Sequence, residues 1–561
     1  ANWQKMDCAI TLVIALAAKR QTQQLGVTEV NTKAGVDQFF TQFVLPCITA
    51  EDVNSQPVVK ADVIKFFTTF RNQMPRDLVT NVLPHLARLL QAKSFVVHTY
   101  AAAAIERIFM IRDQSDPMQI SRAPFIYGTT ELNPILETAV VNLFAIVEQH
   151  ELGVTNEYVA KAIMRVLSKA EPQTIVMAAP TILKKVHAVL QAVCDNPVNP
   201  RFIHYLFESL AVLIRSSCKT KPELAQDFES SLMPAFQTVL EKEISELTPY
   251  VFQILAMLLE LRPGGASESY LNLFQPLLHP VIWSNRGNVP ALVRLVEAFL
   301  HRAAAETIGN DSRKLEGLLG VFKELLRFKS SAELSIRLLI GIVEFLPPDV
   351  YSGYLSTILQ LIFQRLQSLR SKSFAQVFTF FISVLIGKHG CKPVEDAINS
   401  ISQGLFFQIL EQVIVANISG IKRTTDRKAC VVALTRVITE SQALQSEAGA
   451  QTWANVFVAI LNVIAVKAVS DDAESPEEKL EMLEEGGYSS SYSKLVYAQT
   501  GVRDSFKEVA NPTEFFVTTL AKASAATPGH YQRLIEHALQ GKPNYAAAFK
   551  SYCAEHRANI A

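Results

Sequence analysis

The sequence predicts an all-α protein in which pairs of helices stack into a right-handed superhelical solenoid. Three observations favour this fold. Apolar residues recur at the helical spacing of three and four, prolines return at a regular interval, and no linker interrupts residues 1–469. Hydrophobic residues make up 49% of the 561 positions and charged residues 19%, which is enough apolar surface for a continuous core.

Residues Pro75–Met110 show the repeating unit most clearly, as two apolar stripes on either side of a short polar turn. The first stripe comprises Leu78, Val82, Leu86, Leu89 and Leu90, and the second comprises Val97, Tyr100, Ala101, Ala104, Ile105 and Ile108. Neither helix can bury its stripe alone, and a pair still leaves apolar surface for the next pair. A chain of such pairs is a solenoid.

Prolines inside the first helix of successive pairs measure the length of the repeat. They are Pro46, Pro84, Pro134, Pro180, Pro234 and Pro276. Their mean spacing is 46 residues. Repeats of the HEAT and armadillo class run about 40–47 residues, whereas tetratricopeptide repeats run about 34, so the spacing predicts HEAT repeats.

The end of the chain breaks this rhythm, which divides the sequence into three parts. Residues 1–469 are the predicted solenoid, 470–493 an acidic connector, and 494–561 a helical cap. The connector's acids are Asp471, Asp472, Glu474, Glu477, Glu478, Glu481, Glu484 and Glu485. They form either a solvated, flexible connector or an acidic strip for a basic partner. On the second interpretation, Asp471, Asp472, Glu477 and Glu478 are candidate partner contacts.

Charge and apolar run length argue against two classes of partner. Lys plus Arg and Asp plus Glu number 53 each, so no net charge favours nucleic acid. The longest uncharged apolar runs, Ala9–Ala18 and Phe374–Ile386, are shorter than the roughly 18–20 residues of a membrane span, so we expect no membrane insertion. The chain begins inside an amphipathic helical pattern, which indicates a truncated start.

No catalytic, metal or cofactor motif is evident in the sequence. Glycine-rich phosphate loops, paired zinc ligands and nucleophile elbows are absent, so we expect neither an enzyme nor a cofactor. The seven cysteines are dispersed, which is typical of reduced core residues.

Two polar groups are candidate contacts for a protein partner. Lys422, Arg423, Arg427 and Lys428 form a basic cluster at a turn, which is either solvated or a contact for an acidic surface. Asn288 and Arg294 lie at the start of a second helix, the kind of helix that lines the inner face of a HEAT stack. Arg165, His204 and Arg215 also fall on second helices, where packing of their stems is the alternative explanation.

Several longer strings resemble one family of HEAT proteins. They are Phe70–Pro75 (FRNQMP), His98–Phe109 (HTYAAAAIERIF), Asn156–Arg165 (NEYVAKAIMR), Pro249–Glu260 (PYVFQILAMLLE), Gly287–Leu300 (GNVPALVRLVEAFL) and Gln360–Ser368 (QLIFQRLQS). Together they resemble the CAS/exportin-2 family, the importin-α re-exporters of the importin-β superfamily. The resemblance runs from about Asn2 to Tyr497, and Ala498–Ala561 shows no evident match.

The resemblance implies a nuclear export receptor that shuttles between nucleus and cytoplasm. Members of the family bind Ran-GTP and importin-α together in the nucleus and release both in the cytoplasm after GTP hydrolysis. Their main Ran contact lies in N-terminal repeats that this sequence lacks. Secondary Ran contacts are expected around Gly287–Arg294 and the turn at residues 420–428, and nucleoporins are further candidate partners. The alternative is a HEAT scaffold for another complex that does not depend on Ran.

Overall fold

The computed structural model describes residues 3–22, 25–113, 123–149, 156–309, 311–466, 475–485 and 494–561. Within these ranges the chain is almost entirely helical, as predicted. It forms two compact units, each made of a main stretch and a second, later segment. Unit 1 comprises Ala1–Pro263 with Leu483–Gln499, and unit 2 comprises Gly264–Met482 with Thr500–Ala561.

Unit 1 consists of helical pairs that follow an N-terminal helix and a hairpin. Its helices are α1 (Trp3–Ala17), α2 (Val36–Phe39), α3 (Leu45–Thr49), α4 (Pro57–Phe70), α5 (Arg76–Leu89), α6 (Phe95–Ile108), α7 (Thr129–Leu132), α8 (Leu136–Gln149), α9 (Glu157–Lys169), α10 (Pro172–Asp195), α11 (Pro200–Thr220), α12 (Leu224–Glu241) and α13 (Thr248–Leu261). A π-helical turn, Phe40–Val44, joins α2 to α3. Helices α5 and α6 lie where the apolar spacing of Pro75–Met110 predicts a pair.

A small hairpin in unit 1 was not predicted. Strand β1 (Ala18–Thr22) pairs antiparallel with β2 (Gly26–Val30), and Ala18 lies opposite Val30. Gln73 fixes the hairpin to the turn after α4 by donating to the carbonyl oxygen of Val27 at 2.6 Å. Because most β1 side chains are exposed, the strand lacks the apolar alternation from which a strand is inferred.

Unit 2 continues the same pairing. Its helices are α14 (Glu268–Leu277), α15 (Val289–Thr307), α16 (Ser312–Leu326), α17 (Ala332–Phe345), α18 (Pro348–Tyr351), α19 (Leu355–Leu369), α20 (Lys372–His389), α21 (Cys391–Asn399), α22 (Leu405–Ile409), α23 (Thr424–Glu440), α24 (Ala450–Ala465), α25 (Pro476–Glu485), α26 (Pro512–Ala526), α27 (His530–Leu539) and α28 (Pro543–Glu555). Helix α25 spans the boundary between the segments assigned to the two units.

The second helices of successive pairs pack side by side and form one layer in each unit. In unit 1 this layer is α4, α6, α9, α11 and α13, and in unit 2 it is α15, α17, α20, α23 and α26. Helix α24 packs against α23, and α26 takes the second-helix position that follows α23. Residues 466–511 are therefore an insertion between two consecutive helices of the unit 2 stack. The division into 1–469, 470–493 and 494–561 remains a prediction.

The second helices are buried on nearly every side. Every residue of α11 from Phe202 to Ile214 is buried, and so is every residue of α13 from Thr248 to Leu259. Polar side chains in these helices are therefore buried as well, Glu208 and Gln253 among them. A buried polar group must find a partner inside the protein.

Two helical stretches, Thr129–Glu148 and Glu447–Ala465, are long and apolar enough to cross a membrane by length and composition alone. They are 44% and 56% buried inside the protein, and core helices of ordinary globular proteins pass the same test. This is weak evidence for a membrane span, and the expectation of no membrane insertion stays a prediction.

A buried ion pair between α6 and α9 gives a test of this packing. Arg165 Nη2 lies 3.3 Å from Glu106 Oε1, and the two side chains are 1% and 8% exposed. Glu106→Ala removes the carboxylate that pairs with this buried guanidinium, so we expect a loss of about 3–5 kcal/mol in the free energy of unfolding by urea. Glu137→Ala, on the exposed surface of α8, should change it by about 0.5 kcal/mol. Equal losses in the two variants would contradict the assignment.

Candidate functional site

The polar side chains of the second-helix layer in unit 1 converge on residues 494–499, a segment that we call the strap. Gln253 Oε1 accepts a hydrogen bond from the Leu495 N–H at 2.9 Å. Glu208 accepts one with each carboxylate oxygen, from Val496 N at 2.6 Å and from Tyr497 N at 3.0 Å. Helices α11 and α13 therefore hold the main chain of the strap from both sides.

Arg215 on α11 completes the grip on the strap. Its Nη1 donates to the carbonyl oxygens of Tyr497 at 3.3 Å and Gln499 at 3.1 Å. These bonds bind peptide groups rather than side chains. They satisfy strap N–H and C=O groups that would otherwise be buried without a partner.

The strap also supplies apolar cover. Leu495, Val496, Tyr497 and Ala498 are each between 0% and 5% exposed. Since α11 and α13 carry apolar residues on most sides, the apolar surface that no neighbouring helix covers needs apolar side chains from elsewhere. The strap fills that role for unit 1.

The titratable groups beside the strap have strongly shifted pKa values. Burial raises the pKa of Glu208 to about 8, although the N–H groups of Val496 and Tyr497 oppose the shift. Burial, with the nearby charge of Lys161, lowers the pKa of His204 to about 4. His204 Nε2 lies 3.8 Å from Glu208 Oε1, so the two groups form one buried cluster.

Glu484, near the end of α25, makes a second bridge within unit 1. It accepts from Tyr205 Oη of α11 at 2.5 Å and from Lys161 Nζ of α9 at 2.9 Å. Lys161 also lies 3.8 Å from Glu106. Burial alone would raise the pKa of Glu106, but Lys161 and Arg165 outweigh it and hold that pKa below its ordinary value.

A comparable set of contacts holds residues 503–509 in unit 2, which we call the clasp. Glu344 of α17 accepts from Ser505 Oγ and lies 3.4 Å from Arg503 Nε. Lys428 of α23 pairs with Asp504 and donates to the carbonyl oxygen of Val509 at 2.8 Å.

One aromatic ring anchors the clasp. Phe506 is 1% exposed and packs against Gly387 of α20. Lys388 Nζ lies 4.8 Å from the centre of the same ring. A side chain at position 387 would occupy the space that the ring fills, so glycine is required here by packing.

The structure separates the four predicted basic residues into two kinds. Lys422 and Arg423 are exposed at the turn before α23. Arg427 is buried and donates to the carbonyl oxygens of Val463 and Val466. Burial lowers the pKa of its guanidinium. With Lys428 held in the clasp, only Lys422 and Arg423 of this cluster present their charge to solvent. Their role in partner binding stays a prediction.

The other residues predicted to contact a partner differ in how deeply the structure buries them. Asn288 is 7% exposed at the start of α15, and Arg294, six residues further along, is half-buried. Glu477 is half-buried, and Glu478 accepts from the Ser475 N–H at 2.7 Å, which caps α25. Asp471 and Asp472 lie outside the described residues. The assignment of all these side chains as partner contacts remains a prediction.

Reasoning from sequence named Arg215 and His204 but missed Glu208 and Gln253. The missed signal is a lone polar residue inside a continuously apolar second helix, as in FESLAVLI and VFQILAML. A buried carboxylate or amide needs a partner, and here that partner is the main chain of a distant segment. Among the described residues, no group of three or more His, Cys, Asp or Glu side chains could hold a metal ion.

Comparison with known proteins gives consistent matches along the chain. The sequence model described as "CAS/CSE protein, C-terminus" matches residues 106–552, and the one described as "Cse1" matches residues 1–105. Exportin-2 of Homo sapiens is 34% identical over 543 residues, which cover 96% of this chain and 55% of the relative. Exportin-2 of Danio rerio is also 34% identical, over 542 residues that cover 96% of this chain and 54% of the relative. The chain thus spans about half the length of these relatives.

Comparison with solved structures supports the same family assignment. The exportin Cse1 in its cargo-free, cytoplasmic state matches 99% of this chain and 55% of that chain, with a TM-score of 0.81 and 26% identity. Kap95p in a complex with RanGDP has a TM-score of 0.51 at 12% identity, over 99% of this chain and 67% of that one, which shows likeness of fold alone. The predicted all-α HEAT solenoid is confirmed.

One expectation about the similarity is wrong. Ala498–Ala561 shows no evident match in its sequence, but the match to the CAS/CSE C-terminus model extends to residue 552.

The contact between Gly387 and Phe506 can be tested by adding one methyl group. A Cβ at position 387 would lie 2.3 Å from Phe506 Cζ, so Gly387→Ala must displace the ring. We expect a loss of about 1–3 kcal/mol in the free energy of unfolding and faster tryptic cleavage at exposed Lys507.

The matched control for this change is Gly320→Ala, in the interior of α16, where a Cβ meets nothing within 4 Å. It should stabilise the helix by up to about 1 kcal/mol, since alanine has the higher helix propensity. Destabilisation of equal size in both variants would contradict the assignment of the loss to the contact between Gly387 and Phe506.

The low pKa of His204 contributes a loss of stability in acid, whereas the raised pKa of neighbouring Glu208 acts in the opposite direction. The difference between the unmodified chain and a His204 variant therefore isolates the histidine. The unfolded chain binds the proton near pH 6.5 and the folded chain only near pH 4, so this contribution to stability is present above 6.5 and is lost as the pH falls. Between pH 7 and pH 5 it should amount to about 2 kcal/mol. Urea denaturation should show a smaller acid loss in His204→Gln than in the unmodified chain. Equal acid losses in the two proteins would refute this.

Proposed function

Because the chain belongs to the CAS/CSE protein family, we propose that it forms part of a nuclear export receptor that binds importin-α together with Ran-GTP and returns importin-α to the cytoplasm. The observation that carries the proposal is the family match, which runs in order along almost the whole chain. The relatives are exportins, and the solved Cse1 structure has the same fold over the same range. On this proposal the protein is a binding protein and not an enzyme.

The mechanism that fits this fold is binding at several repeats at once. Each repeat contacts mainly its neighbours, so a ligand that spans several repeats can be gripped only at one curvature of the stack. Two ligands that favour the same curvature bind cooperatively, because the first one stabilises the arrangement that the second requires. The coupling is reciprocal, so Ran-GTP strengthens importin-α binding by the same factor as importin-α strengthens Ran-GTP binding.

The candidate contact residues are those whose side chains remain accessible on or beside the second-helix layer. Lys422 and Arg423 offer two positive charges at an exposed turn, which suits an acidic surface. Arg294 and the acidic residues Glu477 and Glu478 are further candidates. The receptor would shuttle through the nuclear pore between nucleus and cytoplasm, with nucleoporins as additional partners.

A binding experiment with purified proteins tests the proposal. Immobilised importin-α is incubated with this chain, and with a version extended to the full length of the relatives, each with and without GTP-locked Ran. We expect Ran-GTP to raise retention of the extended chain at least fivefold, within the usual range for coupled sites. Binding to importin-α that is the same with and without GTP-locked Ran would instead support a HEAT scaffold of another class. No binding to importin-α under any condition would overturn the proposal.

Charge reversal tests the exposed turn within the same experiment. Lys422→Glu with Arg423→Glu should weaken retention of the complex, because both charges face an acidic partner surface on this proposal. The control is Lys323→Glu with Lys329→Glu, which reverses two exposed charges at the end of α16 and just beyond it. Equal effects of the two double variants would assign the loss to net charge alone.

A further inference from the structure

The second-helix layer of unit 1 is not packed evenly. Helix α9 packs closely along α11, but α11 and α13 make far fewer direct contacts with each other. The strap lies where that direct packing is thin. Glu208 and Arg215 hold it from α11, and Gln253 holds it from α13.

We propose that the strap is an internal ligand that sets the spacing of α11 and α13, and with it the local curvature of unit 1. Gln253 of α13 binds the N–H of Leu495, and Glu208 of α11 binds the N–H groups of the next two residues, Val496 and Tyr497, so the strap between the two helices fixes their separation. Glu484 acts in the same sense between α9 and α11, since it binds Lys161 and Tyr205 together. The inference concerns the mechanics of the solenoid, and it holds whether or not the chain carries a transport partner.

The contacts that hold the strap can stabilise the bound strap and still allow it to dissociate. Leu495 to Ala498 bury apolar side chains, which stabilises the bound strap. The polar contacts are non-covalent hydrogen bonds to peptide groups, and each one lost can be replaced by water once the strap leaves. Two states are therefore available to unit 1, one with α11 and α13 linked through the strap and one with them free to change their angle.

Glu208 is the residue to change, because both of its oxygens accept. A glutamine has one acceptor oxygen, and its amide would place N–H groups against one of the two strap N–H groups. In Glu208→Gln we expect amide hydrogen exchange at Val496 and Tyr497 to accelerate at least tenfold. Glu171→Gln, at an exposed position before α10, is the matched control and should leave those amides unchanged.

A distance measurement then reports the spacing of the repeats. Spin labels are introduced through unnatural amino acids at exposed Met177 of α10 and Gln226 of α12, the first helices of the two pairs concerned. We expect the distance distribution to broaden in Glu208→Gln and to stay unchanged in Glu171→Gln. Arg215→Gln serves as a second test, because Arg215 is half-buried and less critical for folding than Glu208.

Two results would overturn the proposal. One is exchange at Val496 and Tyr497 in the unmodified chain as fast as in an unstructured peptide, since the strap would then not be bound. The other is fast exchange of the strap amides in Glu208→Gln and in Arg215→Gln, together with a distance between the labels that is identical to that in the unmodified chain. The strap would then cover the helices without setting their spacing.

Discussion

A helix that is buried on nearly every side is stable in water only when each of those sides is covered. Helices α11 and α13 are covered by their first helices, their neighbours in the layer and a segment that lies 242 to 289 residues further along the chain. The strap brings apolar side chains and peptide groups together. The buried carboxylate of Glu208 and the amide of Gln253 are the partners that those peptide groups require. The same segment therefore supplies both the apolar cover and the hydrogen-bond partners, and the link between α11 and α13 depends on it.

The same constraint separates the polar residues of the second-helix layer into two groups. Arg165, Arg427 and Lys428 neutralise carboxylates or bind carbonyl oxygens inside their own unit. Lys422 and Arg423 are exposed at a turn. A receptor that binds by wrapping needs both kinds, because internal pairs fix the resting arrangement and accessible charges meet the partner. A basic side chain on a second helix can therefore be proposed as a partner contact only after its contacts within the protein are known.

Local periodicity was enough to predict the helical pairs, because each amphipathic stripe lies within one helix. The repeat class followed from the proline spacing, and the family followed from strings such as HTYAAAAIERIF. The strap and the clasp could not be predicted in this way. Phe506 packs against Gly387 across 119 positions of sequence, and no local pattern encodes such a contact. Hairpin β1–β2 was missed for a different reason, since its exposed strand carries no apolar alternation.

On the proposals made here, the second-helix layer binds the partners and its spacing is adjustable. Hydrogen exchange of the chain, measured alone and with importin-α and GTP-locked Ran together, tests both points. We expect protection at the turn before α23 and a change in exchange at Val496 and Tyr497 of the strap when both partners bind. Exchange that changes only in first helices such as α10, α12 and α16, with the strap unaffected, would contradict it.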